Sequence, residues 1–158
     1  MALEPKTDAL LNLTPDSTET EFDFQIGADG DILTEDQLDT AILVSLFTDR
    51  RAEPYQVQQA HLRRGWIGDL ETPDDLWGST LWLHDQSRMT ADTASLVREA
   101  AQGGLDWMVR DDIASEVFSR AEAKITGLDL VVDIKKPTGK SESFLVSLWD
   151  KTGKNNGA

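Results

Sequence analysis

Residues 38–51 read LDTAILVSLFTDRR, and residues 61–69 read HLRRGWIGD. The first of these stretches repeats apolar side chains at the i, i+3, i+4, i+7 spacing of an amphipathic helix, which predicts a helix over 35–47. Thr34 is placed to cap its first turn, and Gln37 follows three residues later as in a capping box. The buried face is predicted to comprise Leu38, Ala41, Ile42, Ser45 and Leu46, widened by Val44 and Phe47.

The loop after this helix concentrates positive charge. Four of the fifteen basic residues lie in two pairs, Arg50-Arg51 and Arg63-Arg64, and Gly65-Trp66 follows the second pair. Arginine and tryptophan are both enriched where proteins contact one another, so one interpretation is that the loop presents these groups to a neighbouring subunit. The other interpretation is that carboxylates within the chain neutralise the arginines. The candidates for that role are Asp49, Asp69, Glu71, Asp74 and Asp75.

The overall composition limits the classes of function. The chain of 158 residues has a net charge of −14 and no cysteine. The deficit of basic residues argues against general binding to nucleic acid and against docking on anionic lipid. Without cysteine there are no disulfides, thiolate metal sites or cysteine nucleophiles. No apolar run approaches membrane-spanning length and the N-terminus lacks a signal peptide's apolar core. The protein is therefore expected to be made in a cytoplasm, and either to stay there or to enter a particle assembled there.

The patterns predict an α+β fold with two main helices packed on a C-terminal antiparallel β-meander, a short N-terminal β-hairpin and a long central loop. One domain is expected over 21–150, after an extended arm at 1–20 and before a flexible tail at 151–158. The hairpin prediction depends on the alternation of 22–26 and the Asp-Gly turn that follows it. The central loop, 49–78, lacks periodicity, and loops of this length inside a domain are usually functional.

The second half of the chain is more regular. A second helix is predicted over 91–110 with Thr90 as its N-cap, and a helical turn precedes it at 78–84. The Gly103-Gly104 pair is costly inside a helix, so another backbone is expected to pack closely there. The buried stripe of this helix is predicted to contain Leu96, Val97, Ala100, Ala101, Gly104, Leu105 and Met108. Strands are predicted over 113–124, 128–134 and 144–148. Leu145 and Trp149, with Val131, fall on the sheet face opposite the core and indicate a partner or a covering segment.

Motifs for catalysis and cofactor binding are missing from the sequence. The hydrolase elbow, the P-loop and the dinucleotide fingerprint do not occur. His61 and His84 lack the spacing of a metal site, and the loop at 29–35 departs from the calcium pattern because Leu33 stands where an oxygen ligand belongs. No cofactor or metal is therefore expected. Two functions stay open without such a motif. One is a cell-wall glycosidase, because 29 carboxylates allow an acid pair although nothing singles out two of them, and the other is a free acidic binding module such as a nucleic-acid mimic.

Three blocks of sequence, taken in order, resemble the signature blocks of the Mu-like phage baseplate wedge family. They are LFTDRRA at 46–52, RRGWIGD at 63–69 and GSTLWL at 78–83. The helix end LDWMVR at 105–110 and the close of the meander at 148–149 fit the same family, so the resemblance extends over about residues 22–149. In the related sheath-initiating wedge proteins this helix ends in Trp or Phe followed by Glu-Pro-Arg. Trp107 and Arg110 match that pattern, and Met108 and Val109 depart from it.

The resemblance implies a structural, non-enzymatic component of a contractile tail, without a cofactor. It implies six copies per baseplate, in contact with other baseplate wedge proteins, the tail hub and the first sheath ring, with no nucleic-acid or membrane partner. Sheath subunits of such tails are joined by strand addition, for which the meander would supply an open sheet edge. The resemblance places assembly in the host bacterial cytoplasm and the final position in the virion tail baseplate. The contact residues expected are Arg50, Arg51, Arg63, Arg64, Gly65, Trp66, Trp107, Arg110, Leu145 and Trp149.

Overall fold

The computed structural model describes residues 8–9, 28–29, 34–35, 38–72, 74–125 and 127–149. The chain divides into two units, residues 1–44 and residues 45–158. In the first unit, β1 (Asp8–Ala9) pairs antiparallel with β2 (Thr34–Glu35). Residues 28–29 form a turn; Gly30, the second residue of the predicted Asp-Gly turn, lies outside the described residues. The predicted hairpin strands at 22–26 and 32–33, most of the arm at 1–20 and the whole tail at 151–158 lie outside the described residues.

The first helix, α1, runs over Asp39–Phe47 and begins later than the sequence predicts. The assignment of Thr34 as its N-cap is wrong, because Thr34–Glu35 belong to β2 and their backbone groups take part in pairing with β1. The buried stripe is also narrower than predicted, since Val44 and Phe47 are exposed. The buried members of the stripe are Leu38, Ile42, Ser45 and Leu46.

In the second unit, the long helix α2 (Ala91–Arg110) packs mainly against strand β3 (Glu116–Ala123). Its N-cap is Thr90, as predicted, and the Thr90 side chain accepts the N–H of Thr93 at 3.2 Å. The predicted stripe is buried except for Leu96, which is exposed. The core residues of α2 are Ala94, Val97, Ala100, Ala101, Leu105 and Met108.

The C-terminal meander is a three-stranded antiparallel sheet in the order β3-β4-β5, with β4 at Leu128–Lys135 and β5 at Ser141–Leu148. Strand β3 starts at residue 116 and not at 113, because the amides of Ile113 and Ala114 donate to Met108 O at the end of α2. Both bonds go to the same carbonyl, which the helix leaves open, and they keep this segment out of the sheet. The α+β class with a C-terminal antiparallel meander is confirmed.

Three short 3₁₀ helices lie between α1 and α2, at Ala60–Leu62, Ile67–Leu70 and Leu81–His84. The last of them confirms the helical turn predicted at 78–84, and the first two interrupt the predicted loop. Among the described residues, no helix combines the length and the apolar character needed to cross a bilayer.

Candidate functional site

The candidate site is the central segment, residues 49–78, whose two ends lie side by side. Ser79 is buried next to the segment's end and joins both: its N–H donates to Thr48 O at 3.0 Å, and its carbonyl accepts the N–H of Arg50 at 2.9 Å. The hydroxyl of Ser79 donates to Leu46 O at 2.6 Å. Since the chain before the segment and the chain after it are hydrogen-bonded to one another, the segment is a closed loop attached to the end of α1.

This closure depends on Gly104 in α2. A Cβ atom at this position would lie 2.7 Å from the Ser79 Cβ and 3.3 Å from the Gly78 carbonyl oxygen. The close approach of another backbone, predicted from the two glycines, is therefore confirmed at Gly104. Gly103 has no such neighbour, and its carbonyl instead accepts a long bond from the Arg50 guanidinium at 3.5 Å.

Two arginines bind backbone carbonyls within the central segment. Arg63 donates from Nε to Val57 O at 2.7 Å and from Nη2 to Gln58 O at 3.0 Å. Arg51 donates to Arg64 O at 3.1 Å and to Ala60 O at 3.4 Å. A guanidinium carries several donors in a fixed plane, so each side chain connects two points of the chain and shapes the loop from within.

Arg64 is held by a carboxylate and an aromatic ring. Its guanidinium pairs with Asp49 at 3.0 Å and lies 4.6 Å from the centre of the Trp82 ring, a cation–π distance. The backbone at Arg64 (φ +47°) and Gly65 (φ +121°) is left-handed, and Gly65 permits the close contact with Arg51. Five carboxylates were candidates for pairing with the four arginines. Among the described residues, Asp49 is the one of the five that forms such an ion pair, with Arg64.

Trp107 and Arg110 lie at the end of α2, across a cleft of about 200 Å³ that Arg50 also lines. The Trp107 indole donates to Ser45 Oγ at 2.9 Å and stacks at a tilt on Trp77, with ring centres 5.3 Å apart. Arg110 pairs with Asp75 at 2.9 Å and with Asp111 at 3.2 Å. The hydrogen bond to Asp111 and the charge of Asp75 raise the pKa of the Arg110 guanidinium.

The other two predicted contact residues lie apart from the central segment. Leu145 projects from β5 with 62% of its surface exposed, on the face opposite the core as predicted. Trp149 follows β5 with a left-handed backbone (φ +52°) and is half-buried. The structure therefore brings Arg50, Arg51, Arg63, Arg64, Gly65 and Trp66 together, and places Trp107 and Arg110 beside Arg50.

Sequence reasoning missed three residues that build this site, Ser45, Ser79 and Trp82. Each takes part in a hydrogen bond between residues at least 30 positions apart in the sequence. The Trp107 indole donates to Ser45 Oγ, the Ser79 hydroxyl donates to Leu46 O, and the Trp82 indole donates to Arg50 O. No local pattern marks a serine or an indole for such a contact, and Ser45 was predicted only as a member of the helix stripe.

The site offers surfaces for binding. Trp66 is half exposed and covers Gly68, while Ile67 and Leu70 beside it are more exposed still. Groups of three or more His, Asp or Glu side chains able to hold a metal ion do not occur in the part of the chain that the structure describes. The exposed groups of the segment thus include aromatic and aliphatic side chains as well as charged ones, on a loop that hydrogen bonds hold in shape.

Comparison with known proteins supplies the family. A family model described as phage protein GP46 matches residues 38–141, which contain α1, the central segment, α2 and most of the sheet. The baseplate protein gp46 of Escherichia phage Mu is 38% identical over 118 residues, covering 72% of this chain and 81% of that protein. The Mu-like prophage FluMu protein gp46 of Haemophilus influenzae is 30% identical over 125 residues, covering 77% of this chain and 84% of that protein. The chain belongs to the phage protein GP46 family, a family of Mu-like phage baseplate proteins.

Proposed function

We propose that this chain is a structural, non-enzymatic wedge component of the baseplate of a contractile phage tail or tail-like particle, where it joins wedge subunits and helps to initiate the sheath. The observation that carries this proposal is the family match across residues 38–141 together with a relative named as a baseplate protein. The partners are other wedge proteins, the tail hub and the first sheath ring, with six copies per baseplate. Assembly takes place in the host cytoplasm, and the mature location is the virion tail.

The central segment supports a role in binding to neighbouring subunits. Three of its arginines, Arg51, Arg63 and Arg64, are bonded within the loop, and its exposed apolar side chains include Trp66, Ile67 and Leu70. A loop whose shape is set before binding loses less conformational entropy when it docks than a mobile loop does. The segment is therefore suited to a fixed position between subunits of a particle.

The sheet supports sheath initiation through strand addition, and its two edges differ. On the β3 edge, the Gln102 side chain of α2 donates to Val117 O at 3.1 Å and accepts the N–H of Ser119 at 3.1 Å. These are the backbone groups that an added strand would use, so Gln102 occupies the middle of that edge. Within the described residues β5 pairs with β4 alone. We therefore assign β5 as the edge that accepts a strand from a sheath or wedge subunit.

Purified particles test the proposal directly. Mass spectrometry should find this chain in the tail fraction at a constant ratio to the hub protein, and deletion of its gene should leave particles without a sheath. A chain that stays free in the cytoplasm and is absent from purified particles would contradict the proposal. Turnover of purified peptidoglycan, abolished by changing one carboxylate, would contradict its non-enzymatic part.

A proline substitution tests the assignment of β5. Antiparallel pairs alternate between those that exchange hydrogen bonds and those that do not. Ser119 directs its N–H away from β4, so Ser119 and its partner Val132 exchange no hydrogen bonds. Val132 therefore directs its backbone groups towards β5, where it exchanges hydrogen bonds with Phe144. Leu145, the next residue along β5, then directs its N–H away from β4. Leu145→Pro therefore removes a donor from the open edge and none from the ladder.

The expected result is that Leu145→Pro folds and enters the baseplate but yields tails without a sheath. The control Leu145→Val keeps the N–H and should yield sheathed tails. Sheathed tails from a folded Leu145→Pro chain, seen by electron microscopy, would mean that β5 is not the acceptor edge.

A further inference from the structure

Two aliphatic side chains project from the central segment almost fully into solvent. Ile67 is 80% exposed and Leu70 is 82% exposed. They occupy the first and fourth positions of the 3₁₀ helix Ile67–Leu70, where residues i and i+3 lie on the same side. The two side chains therefore form one small apolar projection, which is named here the Ile67/Leu70 pair.

The turn that carries this pair is fixed from the opposite side. Asp69, between the two aliphatic residues, is only 7% exposed, and its carboxylate accepts the N–H of Trp77 at 3.0 Å. The Trp66 ring lies against Gly68 so closely that a Cβ there would come within 2.1 Å of the ring. A buried carboxylate beneath the turn and an indole beside it hold the pair in one orientation. Such preorganisation lowers the cost of docking.

The charge around the pair is negative. Glu71 and Asp74 are exposed, and neither carboxylate has an ion-pair partner among the described residues. The arginines of the central segment are bonded elsewhere: Arg51 and Arg63 donate to carbonyls within the loop, and Arg64 pairs with Asp49, so none of the three is paired with Glu71 or Asp74. Glu71 directly follows Leu70 and Asp74 lies three positions further on, so two exposed carboxylates follow the pair along the chain; they are called here its acidic border, on a chain of net charge −14.

These features select the kind of partner. A second copy of this chain would bring the same acidic border and the same net charge, and the two would repel. A partner with an apolar pocket bordered by Lys or Arg would be complementary in both respects.

We propose that the Ile67/Leu70 pair docks into an apolar pocket, bordered by Lys or Arg, on a different protein of the baseplate. This inference rests on the proposed function, because it names the partner surface for the central segment. It assigns the binding contact to residues 67 and 70, and a structural role to Arg51, Arg63 and Arg64.

A matched pair of double variants tests the contact. Ile67→Ser/Leu70→Ser should fold with an unchanged melting temperature, and its incorporation into particles should fall about tenfold or more, as for the loss of an interface hot spot. The control, Leu96→Ser/Ile125→Ser, removes two exposed aliphatic side chains elsewhere and should incorporate like the natural chain. Glu71→Gln/Asp74→Asn should also lower incorporation, by a smaller factor, because it removes the acidic border.

The outcomes separate the inference from the function on which it rests. If the natural chain is absent from particles, the proposed function fails. If the natural chain is present and Ile67→Ser/Leu70→Ser incorporates equally well, the docking inference alone fails.

Photo-crosslinking gives a readout that does not depend on the folding of the serine variants. With p-benzoylphenylalanine at Leu70 in an otherwise natural chain, assembled particles should yield a crosslink to a different protein, at a peptide with apolar and basic residues. A crosslink to a second copy of this chain, to an acidic peptide, or no crosslink at all in assembled particles would overturn the proposal.

Discussion

Gly103 and Gly104 are neighbours in α2 and have opposite surroundings. A Cβ at Gly104 would meet the Ser79 Cβ at 2.7 Å, whereas a Cβ at Gly103 would meet nothing within 4 Å. We expect Gly104→Ala to lower the free energy of unfolding by about 1–3 kcal/mol, because the buried Ser79 must shift. Gly103→Ala should raise it by about 0.5–1 kcal/mol through helix propensity alone. Urea unfolding of the two variants makes the comparison, and changes of the same sign would contradict the packing described at Gly104.

His84, at the end of the 3₁₀ helix before α2, couples stability to pH. Burial lowers its pKa from the ordinary value of 6.5. The unfolded chain then binds a proton at a higher pH than the folded chain, so this contribution to stability is complete above 6.5 and is lost as the pH falls toward the folded pKa. Between about pH 7.5 and about pH 5.5, the natural chain should lose more stability than His84→Gln. Equal losses in thermal unfolding would mean that His84 is not the group responsible.

At the scale of elements, the central segment keeps its shape through side chains bonded to backbone. The Arg63 guanidinium donates hydrogen bonds to Val57 O and Gln58 O, and the Arg63 carbonyl accepts the N–H of Ala52 at 2.9 Å. Arg63→Ala should therefore loosen the loop locally, at a cost of about 1–3 kcal/mol. Hydrogen exchange should speed up at the amide of Ala52 while the amides of α2 keep their protection.

The matched control for this substitution is Arg98→Ala. Arg98 forms an exposed ion pair with its neighbour Glu99 at 3.3 Å, and such pairs contribute little. Its removal should leave the free energy of unfolding within about 0.5 kcal/mol of the natural value. If both arginine variants leave exchange at Ala52 unchanged, the loop does not depend on Arg63.

For the whole molecule, the excess of negative charge sets the response to salt. A net charge of −14 on 158 residues makes the folded chain repel itself, and added ions screen that repulsion. Moderate NaCl should therefore raise the stability by about 1 kcal/mol, which corresponds to about 2–4 °C in the melting temperature. KCl should act equally, because screening depends on ionic strength. A fall in the melting temperature would mean that the surface ion pairs outweigh the repulsion.

The sequence by itself determined the regular elements of the second half of the chain. The spacing of apolar residues and the cap at Thr90 predicted α2 over roughly 91–110, and strict alternation in 128–134 predicted β4, because these signals depend on neighbours within a few positions. The family was also readable from ordered blocks of sequence. At α1, by contrast, the local signal for a cap at Thr34 was overridden by pairing of Thr34–Glu35 with β1, residues more than 20 positions away.

Only the tertiary structure decided what the central segment presents. From the sequence, the two Arg-Arg pairs could either contact a neighbour or be paired within the chain, and the structure shows that Arg51 and Arg63 bind carbonyls of the loop and Arg64 binds Asp49 and Trp82. The most exposed aliphatic side chains of the segment are Ile67 and Leu70, which no pattern distinguishes from core residues. The physical reason is that a hydrophobicity pattern reports which side chains can be buried, whereas exposure depends on which other segments reach them, and in a loop without periodicity that is set by contacts distant in sequence.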